Sequence, residues 1–239
     1  TLYRPGTYNW IADIRMNNIS QDGGVINQWS PSSYSFYFER RITKIRGDTL
    51  FFRNPVVMAM EKVYGGGAVY KYRFERLQNV GIENLCLKSA YANATDENHS
   101  WNAINIVNLE NGWVRNVTAW YFAYSCVTLS RPSKFITVDN CHCREPKSII
   151  TGGRRYSFNV NGSMNLIHNC STTEGRHDYA TGSRVCGPNV FTSCIASNAY
   201  SDIGPHHRWA MGTLYDGIET DNAINVQDRD NMGSGHGWA

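Results

Sequence analysis

Four short clusters in the second half of the chain each combine glycine, a cation and an aromatic residue. They are Gly152-Gly153-Arg154-Arg155-Tyr156, then Gly175-Arg176-His177-Asp178-Tyr179, then Gly204-Pro205-His206-His207-Arg208-Trp209, and last Asp228-Arg229 leading to Gly235-His236-Gly237-Trp238. Arg grips carboxylates through paired N–H donors and stays charged. Neutral His takes protons, and Tyr or a second His gives them. The aromatic rings can stack on sugar faces, and glycine lets a ligand approach the backbone. A row of such groups suits an elongated anionic ligand, and a uronic-acid polysaccharide fits best. Cleaving it by β-elimination needs a cation on the carboxylate, a base for the adjacent C–H and an acid for the leaving oxygen. The catalytic candidates are His177, His207, Arg208, Tyr179, Arg176 and His236. The substrate-binding candidates are Arg154, Arg155, Tyr156, Asp178, His206, Trp209, Asp228, Arg229 and Trp238. No residue is assigned to a metal.

Whether these clusters share a face depends on the elements between them. Five segments of the chain resemble one another, at Val80–Leu87, Gly112–Ala119, Ile136–Cys143, Asn165–Thr172 and Asn189–Ala196. Ile82, Val114, Val138, Ile167 and Phe191 hold one equivalent position. Leu85, Val117, Cys141, Cys170 and Cys194 hold another, three residues on. Between them come a polar residue and then Asn84, Asn116, Asn140, Asn169 or Ser193. Two polar residues between apolar ones predict a short strand, a one-residue bend and a second short strand. The Asn-to-Asn separations are 32, 24 and 29 residues, with 24 more to Ser193. A strand-built repeat of that period predicts stacked rungs, about 4.8 Å apart, with equivalent residues in columns. The Asn column belongs at a tight turn, where Asn tolerates left-handed backbone. Cys141, Cys170 and Cys194 belong inside. The separations between the cationic clusters, 22, 30 and 29 residues, match the rung period, so the clusters should line up over four rungs.

This pattern resembles the pectate lyase-like superfamily over residues 80–239. The resemblance implies an all-β chain forming a right-handed single-stranded parallel β-helix, and general activity on polysaccharides outside the cytoplasm, extracellular or periplasmic. It implies a polysaccharide lyase that acts on an acidic, uronate-containing polymer. Gly235-His236-Gly237 also resembles the Gly-His-Gly of the polygalacturonase family, which makes a glycoside hydrolase using Asp or Glu pairs the runner-up. Glu174, Asp178, Asp202 and Asp228 are its candidates. The Asp-Asp pair and the Arg-Ile-Lys of that family are missing. A non-catalytic glycan-binding or structural β-helix is the third alternative. Many enzymes of the superfamily use Ca2+, the one cofactor the resemblance brings. Asp13, Asp22 and Asp202 are scattered and form no Asp-rich cradle of the kind Ca2+ prefers.

Residues 1–79 read differently, as a hairpin-rich segment packed on or inserted in the solenoid. Tyr34–Ile45 is a strand run, Arg46-Gly47-Asp48 a turn and Thr49–Phe52 the returning strand. This resembles the β-hairpin that often precedes the regular coils in the superfamily. Composition narrows the rest. A net charge of +3 over 239 residues is not the footprint of a nucleic-acid binder. No apolar run approaches the ~18 residues of a membrane helix. Seven cysteines cannot all pair internally, and with no CxxC pair they read as buried thiols. The six Asn-x-Ser/Thr sequons follow from the Asn-rich columns. The first residue, Thr1, and the Gly-rich end at Ala239 read as the edges of a piece of a longer protein. On that reading its remaining segments, or other subunits, complete the fold.

Overall fold

A computed structural model describes residues 1–19 and 28–239. Asp22 lies outside the described residues. Among these, strands dominate, and the two α-helices span only Tyr8–Asp13 and Met232–Gly235. The chain is all-β. No helix of the described residues is long and apolar enough to cross a membrane.

Two compact units divide the chain: Thr1–Phe74 with Asp228–Trp238, and Glu75–Gln227 with Ala239. The expected boundary at 79/80 therefore falls slightly earlier. The larger departure is that Asp228–Trp238, expected to continue the repeats, belongs to the N-terminal unit. Local bonds explain this. The Trp29 indole donates to the Gly235 carbonyl (3.1 Å) and the Trp238 indole to the Ile14 carbonyl (2.9 Å).

In the N-terminal unit, Leu2–Arg4 pairs antiparallel with Phe36–Phe38 and Ala68–Val69. The helix Tyr8–Asp13 starts at Thr7, whose hydroxyl accepts from the Trp10 N–H (3.3 Å). Its buried Trp10 meets Phe36 edge-on at 5.6 Å, and Trp29 stacks on Tyr34 at 4.0 Å. The run expected as one strand over Tyr34–Ile45 is two, Phe36–Phe38 and Ile42–Arg46. Ile42–Arg46 forms the expected hairpin with Thr49–Phe52.

In the larger unit every strand pairing is parallel. One sheet runs, in order, Gly204–Pro205, Tyr179–Thr181, Phe158–Val160, Ser125–Leu129 and Asn102–Ile106. The other is organised by the long strand Leu109–Trp120. Its first half pairs with Lys134–Asp139 and its second with His142–Arg144, while Gly81–Lys88 follows it along both. The five sequence repeats therefore lie in register, Ile82 beside Val114, Val138, Ile167 and Phe191.

The bend between the halves is the Asn column. Asn84, Asn116, Asn140, Asn169 and Ser193 all have φ between 49° and 60°, the left-handed region that Asn enters more readily than other non-glycine residues. The Asn116 amide donates to Asn84 Oδ1 and the Asn140 amide to Asn116 Oδ1, each at 2.9 Å. Two residues before the bend, Val114, Val138, Ile167 and Phe191 are 1% exposed or less. Each such burial contributes roughly 1.5–3 kcal/mol. Cys141, Cys170 and Cys194 sit in the same core, and all seven cysteines are free thiols. The solvent side of this sheet carries the column Glu83, Arg115, Asp139, His168, Thr192, Asp216. Arg115 donates to Glu83 (2.5 Å), and His168 Nδ1 lies 2.8 Å from Asp139 Oδ1. Such exposed pairs contribute little to stability.

Candidate functional site

The five-strand sheet positions the chemistry. Just ahead of its strands, backbone bonds tie successive repeats together. Tyr124 N–H donates to Trp101 O (2.8 Å), Arg155 N–H to Ala123 O (3.3 Å), and both Arg176 and His177 N–H to Arg155 O (2.8 and 3.1 Å). Aromatic and basic side chains on these corners are therefore stacked by the ladder.

The result is a run of rings. The Tyr124 and Tyr156 centroids are 5.4 Å apart, and Tyr156 lies 5.1 Å from both His177 and His206. His177 and His206 are 4.2 Å apart, and His207 meets His206 edge-on at 5.2 Å. The Tyr156 hydroxyl lies 2.9 Å from His206 Nε2. His177 Nδ1 is 2.8 Å from the Asp202 carbonyl oxygen and 3.4 Å from its Oδ1. A carbonyl only accepts, so Nδ1 carries the proton and Nε2 is the basic nitrogen in neutral His177. Tyr156, His177, His206 and Asp202 are all buried. Burial pushes the Tyr124 hydroxyl pKa up, so it stays protonated.

The four predicted clusters meet different fates. Tyr179 lies in the hydrophobic core, stacked on Phe158 at 5.5 Å, and its hydroxyl donates to the Cys170 and Ile195 carbonyls (3.0 and 2.9 Å). It fills volume. Asp178 is fully buried, and Ser157 Oγ donates to its Oδ1 (2.5 Å). Burial pushes this carboxyl up to about 6, against the lowering pull of the Ser157 hydroxyl. A Cβ on Gly175 would land 1.7 Å from Asp178 Oδ1, so only glycine fits there.

The arginines are largely committed to the protein. Arg154 donates to both Glu97 carboxylate oxygens (2.6 and 2.9 Å), which holds the Glu97 pKa below the usual carboxylate range. Arg155 is buried and donates to Ser148 O (2.7 Å) and Glu174 O (3.3 Å). Arg176 donates to Gly152 O and stays half-buried. Arg208 and Trp209 are half-buried, both with positive φ (58° and 61°), and Arg208 O accepts from Arg184 N–H (2.9 Å). The expected alignment of Arg155 with His177 is off by one residue, because Arg176 holds the place beside Arg155. Asp228, Arg229, His236 and Trp238 belong to the N-terminal unit, where Arg229 N–H donates to Gly237 O (2.9 Å).

Sequence reasoning missed Trp101 and Tyr124 as site residues, and named Asp202 only as a hydrolase or calcium acid rather than as the partner of His177. Their signal was available as position: Trp101 and Tyr124 stand just ahead of strands, as Tyr156 does. Calcium does not fit the acids named for it. Asp13 Oδ2 accepts from the Tyr64 hydroxyl (2.7 Å), and Asp202 faces the Ser201 hydroxyl and His177, hydrogen-bond donors rather than the several carboxylates and carbonyls that Ca2+ prefers.

Compared with known proteins, the chain matches no family model, no curated protein and no solved structure.

Proposed function

We propose that residues 75–227 wind as a right-handed single-stranded parallel β-helix, and that the chain cleaves an acidic polysaccharide outside the cytoplasm by β-elimination. The observation that carries this reading is the 2.9 Å contact between the Tyr156 hydroxyl and His206 Nε2, with His177 packed against both rings. Parallel pairing, a repeat of 24 to 32 residues and the Asn column support the winding.

In the proposed reaction, Arg176 or Arg208 neutralises the uronate carboxylate, which acidifies the adjacent C–H. Neutral His177, its Nδ1–H directed at the Asp202 carbonyl, takes that proton at Nε2. Tyr156 protonates the leaving glycosidic oxygen, and the cycle closes when protonated His177 gives up the proton it took and Tyr156 regains one through His206. The C–H electron pair becomes the new double bond, the C–O bond breaks, and no water is consumed. Because the three rings are buried, a polymer reaches them only when the residues over them move aside.

Incubation with a panel of acidic polysaccharides tests this. Elimination gives the ultraviolet absorbance of an unsaturated uronate at each new chain end. New reducing ends without that absorbance would replace elimination by hydrolysis. No product from any polymer would remove the enzymatic reading.

A further inference from the structure

We infer that Trp101, backed by Tyr124, is a stacking subsite for a pyranose ring of the polymer, placed beside the Tyr156 end of the site. The identity of the polymer rests on the proposed function, whereas the subsite rests on its own geometry.

Trp101 sits at the corner before strand Asn102–Ile106 and is 37% exposed. Its indole N–H donates to the Glu97 carbonyl (3.1 Å), so its one polar atom is satisfied by the protein and the rest of the ring is carbon surface. The Arg154 guanidinium lies 5.6 Å from the ring centroid, and Glu97 holds that guanidinium in a two-point ion pair. The ring is thus pinned by its edge and by a neighbouring cation. A rigid aromatic surface loses little freedom when a ligand settles on it.

A pyranose ring has an apolar C–H face and a rim of hydroxyls. An exposed indole bordered by a carboxylate and a guanidinium matches both parts. A nucleic-acid base would also stack, but its phosphates would find Arg154 already neutralised by Glu97. The position links the platform to the chemistry. Tyr124 lies 6.5 Å from Trp101 with ring planes 30° apart, and 5.4 Å from Tyr156. Adjacent repeats step by ~4.8 Å, so Trp101 and Tyr156, two repeats apart, are separated by roughly 10 Å along the stack. A sugar on Trp101 would therefore fix the register of the chain entering the Tyr156–His206 pair.

Affinity electrophoresis through gels containing polygalacturonate, alginate or an uncharged glucan tests the subsite, with kinetics on the retarding polymer. Trp101→Ala should weaken retardation about five- to tenfold and raise KM by a similar factor with kcat kept. Trp101→Phe, which keeps a flat face, should recover most of the binding. Unchanged binding and KM in Trp101→Ala would overturn the subsite while leaving the elimination chemistry standing. Equal losses in Trp101→Ala and Trp101→Phe with altered circular dichroism would also overturn it, as a purely structural role. Retardation that depends on Trp101, without product from any polymer, would support the subsite and remove the elimination chemistry.

Discussion

The Tyr156 hydroxyl and His206 Nε2 lie 2.9 Å apart although 50 residues separate them in sequence. Parallel registry brings them together. Phe158 pairs with Tyr179, and Thr181 pairs with Pro205, which places His206 one residue beyond the last pair. Tyr156→Phe keeps the ring packing and removes the proton donor. Turnover on a cleaved polymer should fall about 100-fold or more, with the thermal midpoint little changed. Steady-state rates beside a melting curve check this.

Asp178 makes stability depend on pH. Its folded pKa is raised to about 6 by burial, against ~3.9 in an unfolded chain. The folded state therefore holds the proton more tightly. Its favourable contribution is fully present below the unfolded value and is lost as pH rises through about 6. The shift corresponds to roughly 3 kcal/mol. Asp178→Asn should flatten stability between those two pH values and raise it at neutral pH. Urea titrations across that range measure it.

Asn116 both donates to Asn84 and accepts from Asn140 at a positive φ of 55°. Asn116→Ala removes both amide bonds and strains the left-handed bend, a loss of roughly 2–3 kcal/mol. Asn116→Gly relieves the backbone share alone and should lose less. Chemical denaturation of the two variants separates the terms.

Gly175 lies against Asp178, and a Cβ there would also come 2.7 Å from Ser157 Oγ. Gly175→Ala must push a fully buried carboxyl off its hydroxyl donor. A loss of about 1–3 kcal/mol is expected. The double variant with Asp178→Asn should lose a different amount than the sum of the singles, because the two residues touch.

The repeats were legible because their positions have physical demands that few residues meet. Asn stands at the left-handed bend, and Val114, Val138 and Ile167 point from one side of it into the core. The site was legible only in part. Tyr179 ends a Gly-Arg-His-Asp run that reads as surface chemistry, but its pairing with Phe158 carries it into the core. His236 lies a rung-like distance from His207 in sequence, and the Trp29 and Trp238 indole bonds hold its segment within the N-terminal unit. Trp101 and Tyr124 lack the glycine and cation that marked the other clusters. Their role depends on which strand follows them, and sequence spacing alone does not reveal that register.

The central claim is elimination rather than hydrolysis, and the fate of solvent oxygen distinguishes the two most directly. A polyuronate that the chain cleaves is digested in water enriched in heavy oxygen, and the products are weighed by mass spectrometry. Elimination predicts products with no solvent oxygen at the cut and an unsaturated terminal uronate, formed about 100-fold or more slowly in Tyr156→Phe. One heavy oxygen incorporated at each cut bond would contradict it.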